Sequence, residues 1–371
     1  MEVLVKKVLI MNQQGVPYEM SPARYQLVHE LKKRKYETYV FNWGKILHDE
    51  NWKDIDYYIN TCRYSVKELQ KKIIKINPEY IIATTDNDIK ILFPLLWLMK
   101  ETLFIYYNLE IFTPEREQGR HQNKNALMYL ISWRMGYLIN KTREIIYTKK
   151  CKLFTIQDTL RKMVSSKYLI RHSNTLLIPN SYVYNDRDCV EVGSSGMVYS
   201  GILTRFRMEP LIKQLQNMQK LSLVFCGKSD QWSRKQFKKL QSINPDIELY
   251  EQSLSPKEHL ELLKKYAVGV VWYDYSKDEN ENNIGLSSGK LFRHLSIQQP
   301  VIVSNSPGLS GIVSKYKLGI VIRNMSELTK AYEDIMSNYS QYQNNIRRIY
   351  KNKFDYARLI QSFLDEMEGM Y

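Results

Sequence analysis

A chain of 371 residues is longer than one ordinary hydrophobic core organises, so two domains are expected. Its hydrophobic (44%) and charged (25%) fractions are those of a globular protein, and Cys62, Cys151, Cys189 and Cys226 stand too far apart for a metal motif or a disulfide framework. The opening MEVLVKKVLIMNQQG lacks the pattern of a secretory leader, and the most apolar run, Ile91 to Met99, is about half of a membrane span; a reduced, cytoplasmic protein is expected.

In chain order, KKVLIMN (Lys6 to Asn12) reads as a buried parallel strand. Ser21–Pro22 then caps a helix through ARYQLVHELKKRKY. TYVFNW is the next strand, followed by a helix around VKELQKKIIKI, the strand YIIATT, a helix from Ile89 to Met99 and the strand LFIYYN. A long helix over ALMYLISWRMGYLINKTREIIYTKK precedes the strand LFTIQ, and LLIPN (Leu176 to Asn180) closes the first half. Residues 181–196 are polar and read as a linker. The alternation restarts with MVYSG, a helix near Met208 to Met218, LSLVFCG, IELYEQ, a helix from Pro256 to Tyr266, and VGVVWYD. A short helix, PVIVSN and KLGIVIR follow, and two helices, SELTKAYEDIMSNYSQ and FDYARLIQSFLDEMEG, end the chain. The fold class is therefore α/β, with two Rossmann-like doubly wound domains, 1–180 and 197–353. Ligands of such sheets bind at the carboxyl ends of the strands, so a cleft between the two halves is the expected site.

The net charge of +15 is uneven. Between Arg116 and Arg171 stand thirteen lysines and arginines against Glu117, Glu144 and Asp158. Such a segment attracts phospholipid, nucleic acid or a phosphorylated substrate, or is simply a solvated basic face. The apolar residues from Met128 to Leu138 within it suit either an anionic membrane surface or a core helix. No aromatic-basic RNA signature or recognition helix accompanies the charge, so nucleic acid is not an expected partner.

In NIGLSSGKLFRHLSIQQPVIVSN (Asn283 to Asn305), small residues and a lysine open a helix just ahead of a buried strand. Ser287 and Ser288 can cap that helix, Gly289 admits close approach to the backbone, and Lys290 adds charge beside the unpaired first-turn amides. A pyrophosphate would be held well there, although capping alone explains any isolated motif of this kind.

Taken with its surroundings, SSGKLFRHLSIQQPVIVSNSPGL resembles the nucleotide-sugar motif of GT-B glycosyltransferases. VYSGILTRFR, LVFCGKSD and IELYEQSLSPKEHLELLKKYAVGVVWYD are similar to the strands and loops leading to that motif, and LLIPNSY to the close of the family's first domain. The resemblance covers roughly 176–323; the first half is similar in architecture only. It implies two domains facing across a cleft, with a terminal helix, 354–371, returning to the first. It implies donor contacts at Gly201, Arg205, Arg207, Gly227, Gln252, Leu254, Ser287, Ser288, Gly289, Lys290 and Arg293. Arg293 and Gly285 occupy positions where the large retaining branch carries carboxylates, so ribose recognition differs.

The implied activity is transfer of a sugar from a UDP- or GDP-linked donor to a glycan acceptor, lipid-linked, in cell-surface polysaccharide assembly at the inner membrane face. No metal or other cofactor is implied, because a helix terminus, Lys290 and Arg207 can stabilise the leaving diphosphate. Asp86-Asn87-Asp88 reads as a loop and helix cap. An inverting course needs a base, for which Asp86 and Glu110 are the candidates; a retaining course needs none. Rival readings within the fold are a nucleotide-sugar epimerase, a polyol-phosphate transferase or a non-catalytic partner subunit.

Overall fold

A computed structural model describes residues 5–12, 22–42, 55–114, 126–191, 193–218, 221–251, 254, 256–273 and 279–370. The chain forms two compact units, 1–180 with 356–371, and 181–355.

The first unit is a seven-stranded parallel sheet in the order β3-β2-β1-β4-β5-β6-β7. Its strands are β1 (Lys7–Asn12), β2 (Glu37–Asn42), β3 (Tyr57–Asn60), β4 (Tyr80–Ala83), β5 (Leu103–Tyr107), β6 (Leu153–Ile156) and β7 (Thr175–Leu177). Ile10 stands beside Ile82 across the β1/β4 pair. Successive residues feed opposite faces: Leu9, Met11, Ile81 and Tyr106 pack on one side, Val8, Ile10, Ile82 and Tyr107 on the other. Burial on both faces is why these strands are unbroken apolar runs in the sequence.

The second of those faces is covered by helix Pro22–Lys33 and by the terminal helix Tyr356–Glu368, which contributes Tyr356, Ile360, Phe363, Leu364 and Met367 to the core. Arg34 ties the two together, reaching Glu368 at 2.8 Å and Asp365 and Gln361 at 2.6 Å each.

The second unit is a six-stranded parallel sheet, β10-β9-β8-β11-β12-β13. Here β8 is Met197–Ser200, β9 Leu223–Cys226, β10 Ile247–Tyr250, β11 Val268–Val271, β12 Val301–Ser304 and β13 Gly319–Ile322. Tyr199 pairs with Val270 across β8 and β11.

Several boundaries depart from the sequence reading. Residues 181–196 are not a free linker but part of the second unit. Tyr182 N–H donates to the Tyr350 hydroxyl at 2.9 Å, Tyr184 N–H to Asp355 at 2.9 Å, and Val190 is buried with its N–H on the Ile297 carbonyl. Polar composition hid this, because the segment is held by hydrogen bonds rather than by an apolar face. The returning helix starts at Tyr356; Phe354 ends a π-helical turn and packs in the second unit beside Phe292 and Tyr350. The helix expected from Ile89 to Met99 is two helices, Asp86–Leu92 and Leu95–Leu98, since Pro94 cannot donate its missing N–H within a continuous helix. Strand β3 and helices Gln231–Ile243 and Pro307–Tyr316 were not anticipated.

Candidate donor-binding site

In the second sheet, numbering along the chain reverses between β8 and β11, which lie side by side. The loops leaving this switch point diverge and leave a crevice outside the carboxyl ends. Gly201 follows β8, and Trp272 and Tyr273 follow β11.

Gly201 and Gly227 are adjacent in space. A Cβ on Gly227 would lie 1.8 Å from the Gly201 carbonyl oxygen, and one on Gly201 would lie 2.6 Å from Lys290 Cε. Gly227 is therefore dictated by close backbone approach, whereas Gly201, at a φ of 157°, has the end of the Lys290 side chain packed against it.

Lys290 is the centre of the site. Its ammonium donates to the Tyr199 hydroxyl at 2.7 Å and stands 4.7 Å from the Tyr199 ring centroid and 4.6 Å from that of Tyr273. Burial between the two rings lowers its pKa to about 8; the nearby charges of Arg207 and Arg293 act in the same sense, while Tyr273 and Glu281 oppose it. It remains largely protonated at pH 7, as a desolvated cation whose hydrogen-bond partner is a neutral phenol and whose charged neighbours are Arg207, Arg293 and Glu281.

Lys290 lies in the first turn of helix Gly289–Ser296. Ser288 is the N-cap: its Oγ accepts from Leu291 N–H at 3.1 Å and stands 3.0 Å from the Tyr273 hydroxyl. The cap fixes the direction of the helix start, whose first amides have no partner inside the helix. Ser287 closes the preceding turn, its hydroxyl donating to the Ile284 carbonyl at 2.7 Å.

The other expected donor contacts divide. Arg207 points a guanidinium at Glu281, 3.2 Å away, and acts electrostatically on both Lys290 and Tyr199. Arg293 donates from Nε to the Tyr182 hydroxyl at 3.1 Å, and its charge also depresses the pKa of His259 and His294. Arg205 is occupied otherwise: it reaches Glu209 at 3.2 Å and lies over the Trp232 ring, while its amide donates to Asp230. Leu254 packs against the apolar cluster of Val198, Val224 and Leu263. Gln252 lies outside the described residues.

Three participants escaped the sequence reading. Tyr199 and Tyr273 looked like core aromatics of strands, and only the adjacency of β8 and β11 brings both onto one ammonium. Glu281 sits in a polar stretch with no motif. His259 is a fourth neighbour: Nε2 lies 2.9 Å from the Ser200 hydroxyl at the end of β8, and burial lowers its pKa to about 3, so the ring is neutral.

In the first unit, the switch point falls between β1 and β4. Asp86 is buried there, as the first residue of the helix that follows β4. Asp88 accepts from the backbone amides of Thr84 and Thr85 and from the Thr84 hydroxyl, at 2.8 to 2.9 Å, so the second carboxylate of the D-x-D is a helix cap. Glu110 is half-buried in the loop after β5.

Beneath Asp86 lies a buried polar cluster. Glu144 accepts from Tyr106 at 2.8 Å and pairs with Lys141 at 2.7 Å; Lys141 also donates to the Phe112 carbonyl at 3.0 Å. Burial raises the pKa of Glu144 against the pull of Lys141, and the Asp86 charge pushes it further up. Lys141 and the buried Arg161, whose Nε donates to Gln157 at 2.8 Å, are thus internal, and the basic segment is less of a surface than its composition implied.

A pair of doubly wound units, with a cationic helix start at the switch point of the second, is the construction of the GT-B fold. Residues 197–355 match the family described as Glucosyltransferase 3-like, C-terminal domain. No curated protein matches the chain by sequence. Among solved structures, sucrose-phosphate synthase from Thermosynechococcus elongatus is similar at a TM-score of 0.72, with 13% identity over 98% of this chain and 99% of that one. HepE from Anabaena, in complex with UDP and glucose, also gives 0.72, with 13% identity over 98% and 100%. WaaG, a glycosyltransferase involved in lipopolysaccharide biosynthesis, gives 0.66, with 10% identity over 96% and 98%. At such identities the likeness to solved structures establishes the GT-B fold; the domain match adds that residues 197–355 resemble a glucosyltransferase C-terminal domain.

Proposed function

We propose that the protein transfers a sugar from a UDP- or GDP-linked donor to a glycan acceptor carried on lipid, in the assembly of a cell-surface polysaccharide. The observation that carries this reading is Lys290, a desolvated ammonium caged by Tyr199 and Tyr273 at the start of a capped helix. HepE, of the same fold, is solved with UDP-glucose, which supports a nucleotide-sugar donor.

In the reaction, the bond from the anomeric carbon to the diphosphate oxygen breaks, and the acceptor hydroxyl oxygen forms the new bond. The diphosphate leaves with the electron pair, and its charge grows as positive charge develops on the sugar. Amides at the start of helix Gly289–Ser296, with Lys290 and Arg207, meet that charge without a metal ion. Arg207 does so by giving up or sharing its contact with Glu281. On an inverting course, Asp86 or Glu110 takes the acceptor proton.

A membrane-borne acceptor is supported by helix Ala126–Lys150. Ile131, Met135, Leu138 and Ile139 are all exposed, and their spacing places them on one face, beside exposed Arg134. Exposed Lys149 and Lys150 follow at the helix end, with Lys150 over the exposed ring of Trp97. A basic rim around apolar side chains complements an anionic bilayer and would repel a second copy of itself. Flotation with anionic vesicles tests it: Leu138→Glu should abolish binding, and unchanged flotation removes the membrane from the proposal.

The donor is tested by calorimetric titration with UDP-, GDP- and CDP-sugars. One of the UDP- or GDP-sugars should bind, and indifference to all of them sinks the reading. Turnover of the bound nucleotide sugar without any acceptor would favour an epimerase instead. That fold includes a putative UDP-N-acetylglucosamine 2-epimerase from Listeria monocytogenes, similar at a TM-score of 0.59 and 12% identity.

A further inference from the structure

The six-stranded sheet carries a second polar recess, at its opposite edge. Helix Pro307–Tyr316 leaves the carboxyl end of β12 and runs back to the amino end of β13, so Lys315, Tyr316 and Lys317 lie at the amino edge. Helix Tyr339–Ile349 packs beside it. Between them is a cavity of about 420 Å³ lined by Lys315, Tyr316, Lys317, Gln341, Asn345 and Arg348.

Gln341, Asn345 and Arg348 are spaced i, i+4, i+7, which turns one helix face to the cavity. The adjacent Arg347 leaves that face and pairs with Asp186 at 3.0 Å. Among the described residues, Lys315, Lys317 and Arg348 have no carboxylate partner, and the Gln341 and Asn345 side chains make no hydrogen bond. Helix C-termini attract cations, which accounts for a single lysine or arginine at each end. It does not account for three cations and two free amides converging on one recess without an acid. Like charges held together repel, and an anion would relieve that repulsion.

We propose that this recess is a second anion site, binding a phosphate-bearing ligand separately from the donor. Three cations and two amides match the several acceptor oxygens of a phosphate, and the Tyr316 ring, with Lys315 at 5.3 Å and Lys353 at 5.8 Å from its centroid, forms an aromatic wall. The volume suits a sugar phosphate or a phospholipid headgroup. The strands between the two edges are four residues long, about 13 Å, so a ligand here does not touch Lys290.

The test is equilibrium dialysis with inorganic pyrophosphate, using the Lys290→Met chain so that the result does not depend on the donor seat. Wild-type and Lys290→Met proteins should both bind pyrophosphate with an affinity that falls about tenfold or more in a Lys317→Glu/Arg348→Glu background. The substituted residues are exposed, and an unchanged melting temperature would confirm that folding is intact. Absence of pyrophosphate binding to Lys290→Met, or binding indifferent to the two charge reversals, overturns the proposal. Co-sedimentation with vesicles containing phosphatidic acid then identifies the source. Loss of sedimentation in the charge-reversed protein assigns a lipid headgroup; sedimentation unaltered alongside lost pyrophosphate binding assigns a soluble phosphate.

Discussion

The two sheets share one winding, with order reversing between the first and fourth strands of each unit, yet the residues at the two switch points have opposite character. The second unit gathers Lys290, Arg207 and Arg293 around a helix start between two tyrosines. The first places Asp86 at the same topological position, above Glu144 and its partners Lys141 and Tyr106. The winding supplies a crevice in both cases; only the side chains decide whether it presents cations or a carboxylate.

If Asp86 is the base of an inverting transfer, the largest effect belongs to Asp86→Asn: kcat should fall on the order of a thousandfold while donor affinity is unchanged. Glu110→Gln would then cost little, and steady-state kinetics of the two variants separates the candidates. Loss of donor affinity in Asp86→Asn would erase the division of labour between the units.

The cationic site should show next. Lys290→Met keeps the buried stem and removes the charge, so donor affinity measured by calorimetry should drop about a hundredfold, with an intact fold. An unaltered dissociation constant would mean that the cage is merely a structural contact.

The smallest effect is the sharpest test of the cage. With a pKa near 8, the free protein loses the Lys290 proton as pH rises from 7 to 9, whereas arginine stays charged. Donor affinity of wild type relative to Lys290→Arg should therefore fall about tenfold over that interval, any titration of the donor itself cancelling in the ratio. Stability moves the other way: the unfolded chain holds the extra proton between about pH 8 and 10.5, so this lysine's contribution to folding becomes less unfavourable as pH rises through that window. A flat affinity ratio would show that the ammonium is not desolvated.

Sequence alone carried the alternation of apolar runs and amphipathic helices, because strands buried on both faces and helices with one apolar face are local patterns. It also carried Ser288, Gly289 and Lys290, since a capped helix start is contiguous in the chain. Tertiary structure decided what could not be contiguous. Tyr199 and Tyr273 become a cage only because β8 and β11 are neighbours, and the packing of Lys290 against Gly201 exists only in the folded chain. Arg205 and Arg207, two residues apart and alike on paper, are separated by their partners, Glu209 and Trp232 for one and Glu281 for the other. Residues 181–196 join the second unit through hydrogen bonds to Tyr350 and Asp355 that leave no periodicity to read. Local pattern fixes elements and their caps, whereas charge, burial and close approach are pairwise quantities that exist only once distant segments meet.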